Sequence, residues 1–184
     1  MEKKIPKLSV QLLAAIAVVS ALGIIVENVF SIRFSNTLQL QFTFLTNTIL
    51  GAIAGPIWSA LVALIIDPIA VLMSGQTFIL GFTVIEVVSG FLYGLFFYRK
   101  KLNIAEKKDW LYVAMVVCLI LLVTSFVMTP VVLHYHFKTP WIVLYSSRVT
   151  KAVVEIPMRI VVTMLIMPQL QRIPEIRKLM GLPR

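Results

Sequence analysis

The sequence is poor in charge and almost without cysteine. Only 14% of its 184 residues are charged, 59% are hydrophobic, and the mean hydropathy is +0.94. A water-soluble domain is closer to about half apolar and a quarter charged, so an ordinary globular enzyme is excluded. The single cysteine, Cys118, lies in an apolar run; it excludes a disulfide framework and a cysteine-rich metal site, and reads as a small buried hydrophobe. Histidine is nearly absent as well. His134 and His136 sit in a connecting segment with no cysteine nearby, so no metal site is expected from them, and no cofactor. There is no G-x-x-x-x-G-K-S/T to cradle nucleotide phosphates and no G-x-S-x-G nucleophile turn. The chain therefore reads as neither an ATPase nor an intramembrane protease, and any uphill step needs energy from another chain. Internal repeats, low-complexity tracts and soluble linkers are missing too, and a single membrane-embedded substrate-binding domain over 1–184 is the economical organisation.

What the sequence has is long apolar runs. A bilayer core of about 30 Å needs about 20 apolar residues per spanning helix, which gives this length room for about six spans and short loops. The runs fall at roughly 8–32, 41–53, 57–73, 79–98, 110–133 and 141–168, separated by Gly55-Pro56, Ser74-Gly75-Gln76, the basic stretch Arg99 to Lys108, and His134 to Pro140. The expected fold is all-α, a polytopic six-helix membrane bundle. The first run is too long for a cleaved secretory leader, and the second is short enough to be tilted or bent at the Gly-Pro break.

Basic residues outnumber acidic ones by 17 to 8. Twelve of the 17 lie at the N-terminus, in the 99–108 connection and in the tail, whereas the opposite loops offer only Arg33 and Lys138. The positive-inside rule then puts both termini in the cytoplasm of a multi-pass protein of the cell membrane. The same placement accounts for the basic surplus without nucleic acid, since no stretch joins it to exposed aromatic platforms or a base-reading motif.

Charges inside the apolar frame carry the functional information, because each costs at least about 2.5–3.5 kcal/mol at the bilayer centre. In the last helix Arg148, Lys151, Glu155 and Arg159 fall within an arc of about 80° and form one polar stripe. Two readings stand for its outer members: Arg148 and Lys151 present cationic donors to an anionic ligand, or Arg148 snorkels while Lys151, Glu155 and Arg159 neutralise one another. Arg159 itself suits a structural pair with Glu155 or Asp67. Glu86, deep in the fourth run, either meets the two N–H donors of an amino-pyrimidine-like edge or pairs with Arg148 or Lys151. Asp67, before Pro68, reads as structural. Gly90 and Gly94 make a small face for close helix approach, and Ala14, Ala17 and Ala21 make another on the first helix, open to packing within the chain or to a partner. Arg33, Asn36, Gln39, Gln41, Phe42 and Phe44, then Gln76 and Phe78, then Tyr135, Phe137 and Trp141, form three outward segments that suit a lid or an interfacial belt.

Four segments resemble the S components of energy-coupling factor (ECF) vitamin transporters, in particular the folate-specific branch: Gly51-Ala52-Ile53-Ala54-Gly55-Pro56-Ile57-Trp58, Gly81-Phe82-Thr83, Gly90-Phe91-Leu92-Tyr93-Gly94, and Arg148-x-x-Lys151 followed by Pro157. Glycine often follows the tryptophan in that branch, and Ser59 stands there in this chain. The resemblance implies a high-affinity folate-binding membrane subunit, not an enzyme, that docks on a transmembrane coupling protein and two ABC ATPases and releases the vitamin inward. It implies docking at Ala17-x-x-x-Ala21. For a folate the residues divide by chemistry: Arg33, Arg148 and Lys151 for the carboxylates, Phe42, Phe78, Phe82 and Tyr93 for ring stacking, Glu86 and Gln76 for the pterin edge. The alternatives are an S component for thiamine, pyridoxine or a hydroxymethylpyrimidine precursor, and a membrane assembly subunit that binds no ligand.

Overall fold

A chain segment in lipid must satisfy its own backbone polar groups, and the apolar runs do so as helices. The computed structural model describes residues 8–30, 32–35, 38–40, 42–75 and 77–182, with the backbone alone for 27–30, 32–35 and 38–40. Ser9 opens α1 (Val10–Phe30) by accepting the Leu12 N–H on its hydroxyl at 3.1 Å. Helix α1 buries Leu12, Ile16 and Ser20 at successive four-residue steps and turns its other face outward.

The connection that follows α1 holds a short hairpin that the helical reading lacked. Strands β1 (Ile32–Ser35) and β2 (Leu38–Leu40) pair antiparallel, Ile32 opposite Leu40 and Arg33 opposite Gln39. The alternation of Ile32, Phe34, Leu38 and Leu40 with polar neighbours is the period-two signal for such a pair. Strand β2 runs beside the last long helix, α6 (Trp141–Leu170).

The second and third runs are the two halves of α2 (Thr43–Met73). They part at Gly55, whose φ of 75° and ψ of 178° no side-chain-bearing residue adopts without strain, and Pro56 follows, removing one backbone donor. The fourth run is α3 (Leu80–Phe97). The fifth is composite: α4 (Lys107–Leu121), a π-helical stretch (Leu122–Met128) and α5 (Thr129–Phe137). Pro130 explains the widening, since it has no N–H for the usual acceptor one turn back. The Thr129 N–H reaches Thr124 O instead, and the Thr129 hydroxyl donates to the same oxygen at 2.6 Å. Helix α6 (Trp141–Leu170) contains Pro157 and Pro168, and a short α7 (Pro174–Leu179) ends the described chain.

Among the described residues, Thr43–Met73, Leu80–Phe97 and the composite Lys107–Phe137 are long and apolar enough to cross a membrane, and α1 adds the shorter apolar stretch Val10–Val26. Helix α6 is as long as these, at 30 residues, but its charged stripe interrupts the apolar surface.

Helices α2 and α3 approach backbone to backbone. A Cβ on Gly94 would lie 2.5 Å from Pro56 Cα, and one on Gly51 would lie 2.6 Å from the Gly94 nitrogen. The two glycine segments of the sequence are thus the two sides of one crossing, as the small-residue face predicts. Ser59 adds a polar clasp: its buried hydroxyl lies 2.7 Å from both Gly55 O and Gly90 O, as donor to one or the other. At one end of the bundle, Gln171 ties the tail to the 99–108 connection, accepting the Leu102 N–H at 2.9 Å and donating to Lys100 O at 2.8 Å. The basic loop and the basic tail therefore share one end.

The buried core runs through Leu12, Ile16, Phe44, Phe97, Met164 and Met167, while Ile65, Leu111, Met115 and Leu165 face outward. Cys118 corrects its reading: it is exposed on α4, on the outward apolar surface rather than in the core. In a chain surrounded by lipid tails, an apolar side chain gains nothing by turning inward, so hydrophobicity alone does not sort core from periphery.

Candidate ligand-binding site

The polar stripe of α6 faces inward. Glu155 is 1% exposed and Arg148 7% exposed, which removes the reading of Arg148 as a snorkelling anchor. Glu155 is shared between two cations. Its Oε1 accepts from Arg159 Nε at 3.1 Å and from Nη2, and its Oε2 lies 3.7 Å from Lys151 Nζ. Arg159 also donates from Nη1 to the Tyr93 hydroxyl at 3.0 Å, and its guanidinium lies 4.9 Å from the centre of the Phe44 ring. Arg148 is different: its Nε is buried and has no hydrogen-bond partner among the described residues. The stripe therefore holds three cations against one carboxylate, an excess of positive charge in a setting where unpaired charge is costly.

Arg159 pairs with Glu155, one of its two expected partners. Asp67 is taken elsewhere, accepting from the buried Thr83 hydroxyl at 2.6 Å, so the expected alternative of an Asp67–Arg159 pair gives way to a link between α2 and the start of α3.

The second polar cluster lies between α2 and α3. Glu86 Oε2 accepts from Asn47 Nδ2 at 2.9 Å, and the same amide nitrogen lies 3.5 Å from Ser89 Oγ. Asn47 is 6% exposed. Sequence reasoning missed it, although an amide between Thr46 and Thr48 in an apolar run is a signal of the kind that singled out Glu86. Phe82, Glu86, Ser89 and Tyr93 follow steps of four, three and four, hence one face of α3. Phe44 and Asn47, three apart, share a face of α2. Since Phe44 and Tyr93 reach Arg159 while Asn47 reaches Glu86, the same faces of α2 and α3 meet the stripe of α6 at one level and carry the Glu86 carboxylate at another, with Glu86 and Tyr93 about 10 Å apart along α3.

Other expected site residues divide. Phe82 is half-buried in the first turn of α3, and Phe42 is half-buried with its ring 6.2 Å from that of Phe44, so both adjoin the cluster. Phe78 is exposed ahead of α3. The side chain of Arg33 and the whole of Gln76 lie outside the described residues, as do Asn36, Gln41 and the side chain of Gln39. Tyr93 corrects its assignment. It is fully buried, stacked on Phe97 at 5.9 Å between ring centres, and bound to Arg159 through its hydroxyl. No face of its ring is left for a ligand, so it anchors the stripe instead.

His134 stacks on Trp141 at 4.4 Å and its Nδ1 meets Thr139 O at 2.9 Å, which occupies it within the α5–α6 turn. Among the described residues no group of three or more His, Cys, Asp or Glu side chains is arranged to hold a metal ion. On α1, Ala14, Ala17 and Ala21 are all exposed, so the reading in which they pack within the chain does not hold; Gly23, against the Thr46 side chain, makes the close approach to α2.

Residues 11–167 match the family described as the ECF transporter, substrate-specific component. The folate transporter FolT of Streptococcus mutans is 41% identical over 177 residues, covering 96% of this chain and 95% of that protein. The folate transporter FolT of Leuconostoc mesenteroides subsp. mesenteroides is 27% identical over 161 residues, covering 84% of this chain and 83% of that protein. A crystal structure of FolT bound with folic acid shares the fold, with a TM-score of 0.74 at 22% identity, covering 85% of this chain and 92% of that one. With a family match over most of its length and membrane-capable helices to go with it, this multi-pass membrane chain belongs to the substrate-specific components of ECF transporters.

Proposed function

We propose that this chain is the folate-binding subunit of an ECF-type importer, a single membrane-embedded domain of the cell membrane that binds its vitamin from outside rather than transforming it. The observation that carries the reading is the buried excess of positive charge on α6, with Arg148 Nε unpartnered among the described residues, beside the face of α3 that carries a carboxylate. An anion with two carboxylates balances that excess, and a pterin edge with paired N–H donors complements Glu86, which Asn47 orients. The 41% identity to a folate transporter over nearly the whole chain supports the same ligand. Arg148 and Lys151 are the carboxylate contacts, joined by Arg33. Phe42, Phe78 and Phe82 supply ring contacts, with Gln76 beside Glu86 at the pterin.

Both termini lie in the cytoplasm in this reading, supported by the basic loop and tail gathered at one end. The exposed Ala14, Ala17 and Ala21 face offers a close-packing surface for the transmembrane coupling protein, through which two ABC ATPases supply the energy.

The test is uptake of labelled folic acid by proteoliposomes holding this chain with its coupling protein and ATPases. ATP-dependent accumulation that disappears when this chain is omitted is the expected result. Accumulation of thiamine or pyridoxine instead would overturn the folate assignment and keep the transport class.

A further inference from the structure

We infer that Arg159 is a positioning residue for ligand binding: by occupying Glu155 it keeps the charge of Lys151 available for a ligand carboxylate. The inference rests on the folate reading of the α6 site and concerns a residue that touches Glu155, Tyr93 and Phe44 rather than ligand.

The geometry of Glu155 carries the argument. A carboxylate one turn from Lys151 and one turn from Arg159, at 1% exposure, cannot reach water for its remaining hydrogen bonds, so the two cations share its single charge from different oxygens, Arg159 at Oε1 and Lys151 facing Oε2. Arg159 holds the closer contact. It reaches Oε1 through both Nε and Nη2, a paired contact that a guanidinium makes better than an ammonium. It is also held from two further sides, by the Tyr93 hydroxyl at 3.0 Å and the Phe44 ring at 4.9 Å, so it has little freedom to leave. Lys151 is left with a looser contact at 3.7 Å, beyond the 2.7–3.2 Å range of about every good N–H···O bond. Its three donors stay uncommitted to a short bond with Glu155. The carboxylate is thus balanced from the deep side of the stripe, and the surplus charge collects on Lys151 and Arg148.

Removing the Arg159 charge should reverse this partition. With Arg159→Gln, Glu155 has only Lys151 to balance it, and the ammonium is drawn onto it. Folic acid affinity is then expected to fall about 10- to 100-fold, the worth of one charge-assisted contact. The double variant Arg159→Gln with Glu155→Gln removes the competing carboxylate and should bring affinity back to within about threefold of the wild type, because Lys151 is released. The loss should also depend on the ligand. Folic acid dimethyl ester, whose glutamyl carboxylates are neutral, should bind the wild type and Arg159→Gln alike.

The experiment is equilibrium binding of folic acid and of its dimethyl ester to the purified full chain in detergent, with thermal unfolding measured on every variant. Rescue by the double variant, with ester binding unmoved by Arg159→Gln, is the expected result. Equal weakness of the single and double variants, or equal loss of folic acid and ester, overturns the inference and assigns Arg159 to structure or to direct contact. If Arg159→Gln cannot be obtained folded, the double variant and Arg159→Lys decide: near-native binding in both supports the inference, and a 10-fold loss in the double variant at about unchanged stability contradicts it. Failure of the wild type to bind folic acid would overturn the folate reading and this inference together, which is distinct from a wild type that binds but variants that do not follow the pattern.

Discussion

Two regions hold this chain together by opposite means. Where α2 crosses α3, the contact is made of what is missing: Gly51, Gly90 and Gly94 remove side chains so that backbones meet, and the Ser59 hydroxyl donates to the Gly55 or the Gly90 carbonyl. Along α6 the contact is made of charge, with Glu155 at the centre of Lys151, Arg159 and Tyr93. The first region is complete within the chain. The second is not, since it carries more positive than negative charge and leaves Arg148 Nε without a partner among the described residues. A self-sufficient interface tells how a membrane protein packs; an unbalanced one tells what it waits for.

That contrast can be broken most severely at its charged centre. Glu155→Ala leaves Lys151 and Arg159 buried without their carboxylate, and breaking a buried pair costs about 3–5 kcal/mol. Thermal unfolding in detergent should drop sharply or folded protein should not be recovered; near-native stability would mean the stripe is hydrated. Next comes the glycine crossing. Gly94→Val puts a side chain onto Pro56, and overpacking of this kind costs about 1–3 kcal/mol or more. Here stability should fall and the ligand affinity of the remaining folded fraction should hold.

Arg148→Gln separates binding from packing. It removes the cation whose Nε has no hydrogen-bond partner among the described residues, so thermal stability should stay level while affinity for an anionic ligand falls about 10- to 100-fold. Equal loss of stability and binding would make Arg148 a structural cation. The smallest effect is expected at Ser59→Ala, which gives up the single buried hydrogen bond its hydroxyl donates to Gly55 O or Gly90 O, worth about 1 kcal/mol. A modest decrease in unfolding temperature with unchanged binding would place that clasp within the packing region alone.

The helices were legible because most apolar runs approach the length a bilayer requires and each break carries Gly, Pro or charge. The stripe was legible for the same reason: a charge in lipid is conspicuous, and its spacing fixes its face. The rest depends on partners that only the folded chain brings together. Tyr93 looks like any aromatic beside a glycine until Arg159, on another helix, is placed against its hydroxyl. Asn47 has no periodicity to announce it and gains its role from Glu86 and Ser89 on α3. The hairpin at Ile32–Ser35 and Leu38–Leu40 was written in alternating residues, but in so short a stretch that the helical context concealed it. Cys118 was misread because lipid reverses the usual link between apolar and inside.

The most direct measurement is equilibrium titration of the purified, detergent-solubilised chain with folic acid, followed by intrinsic tryptophan fluorescence, with thiamine, riboflavin and pyridoxine as parallel titrants. Trp141, exposed at the start of α6, stands on the same helix as Arg148 and Lys151 and can report occupancy. Tight, saturable binding of folic acid alone is expected. A response to one of the other vitamins, or to none of the four, would contradict it.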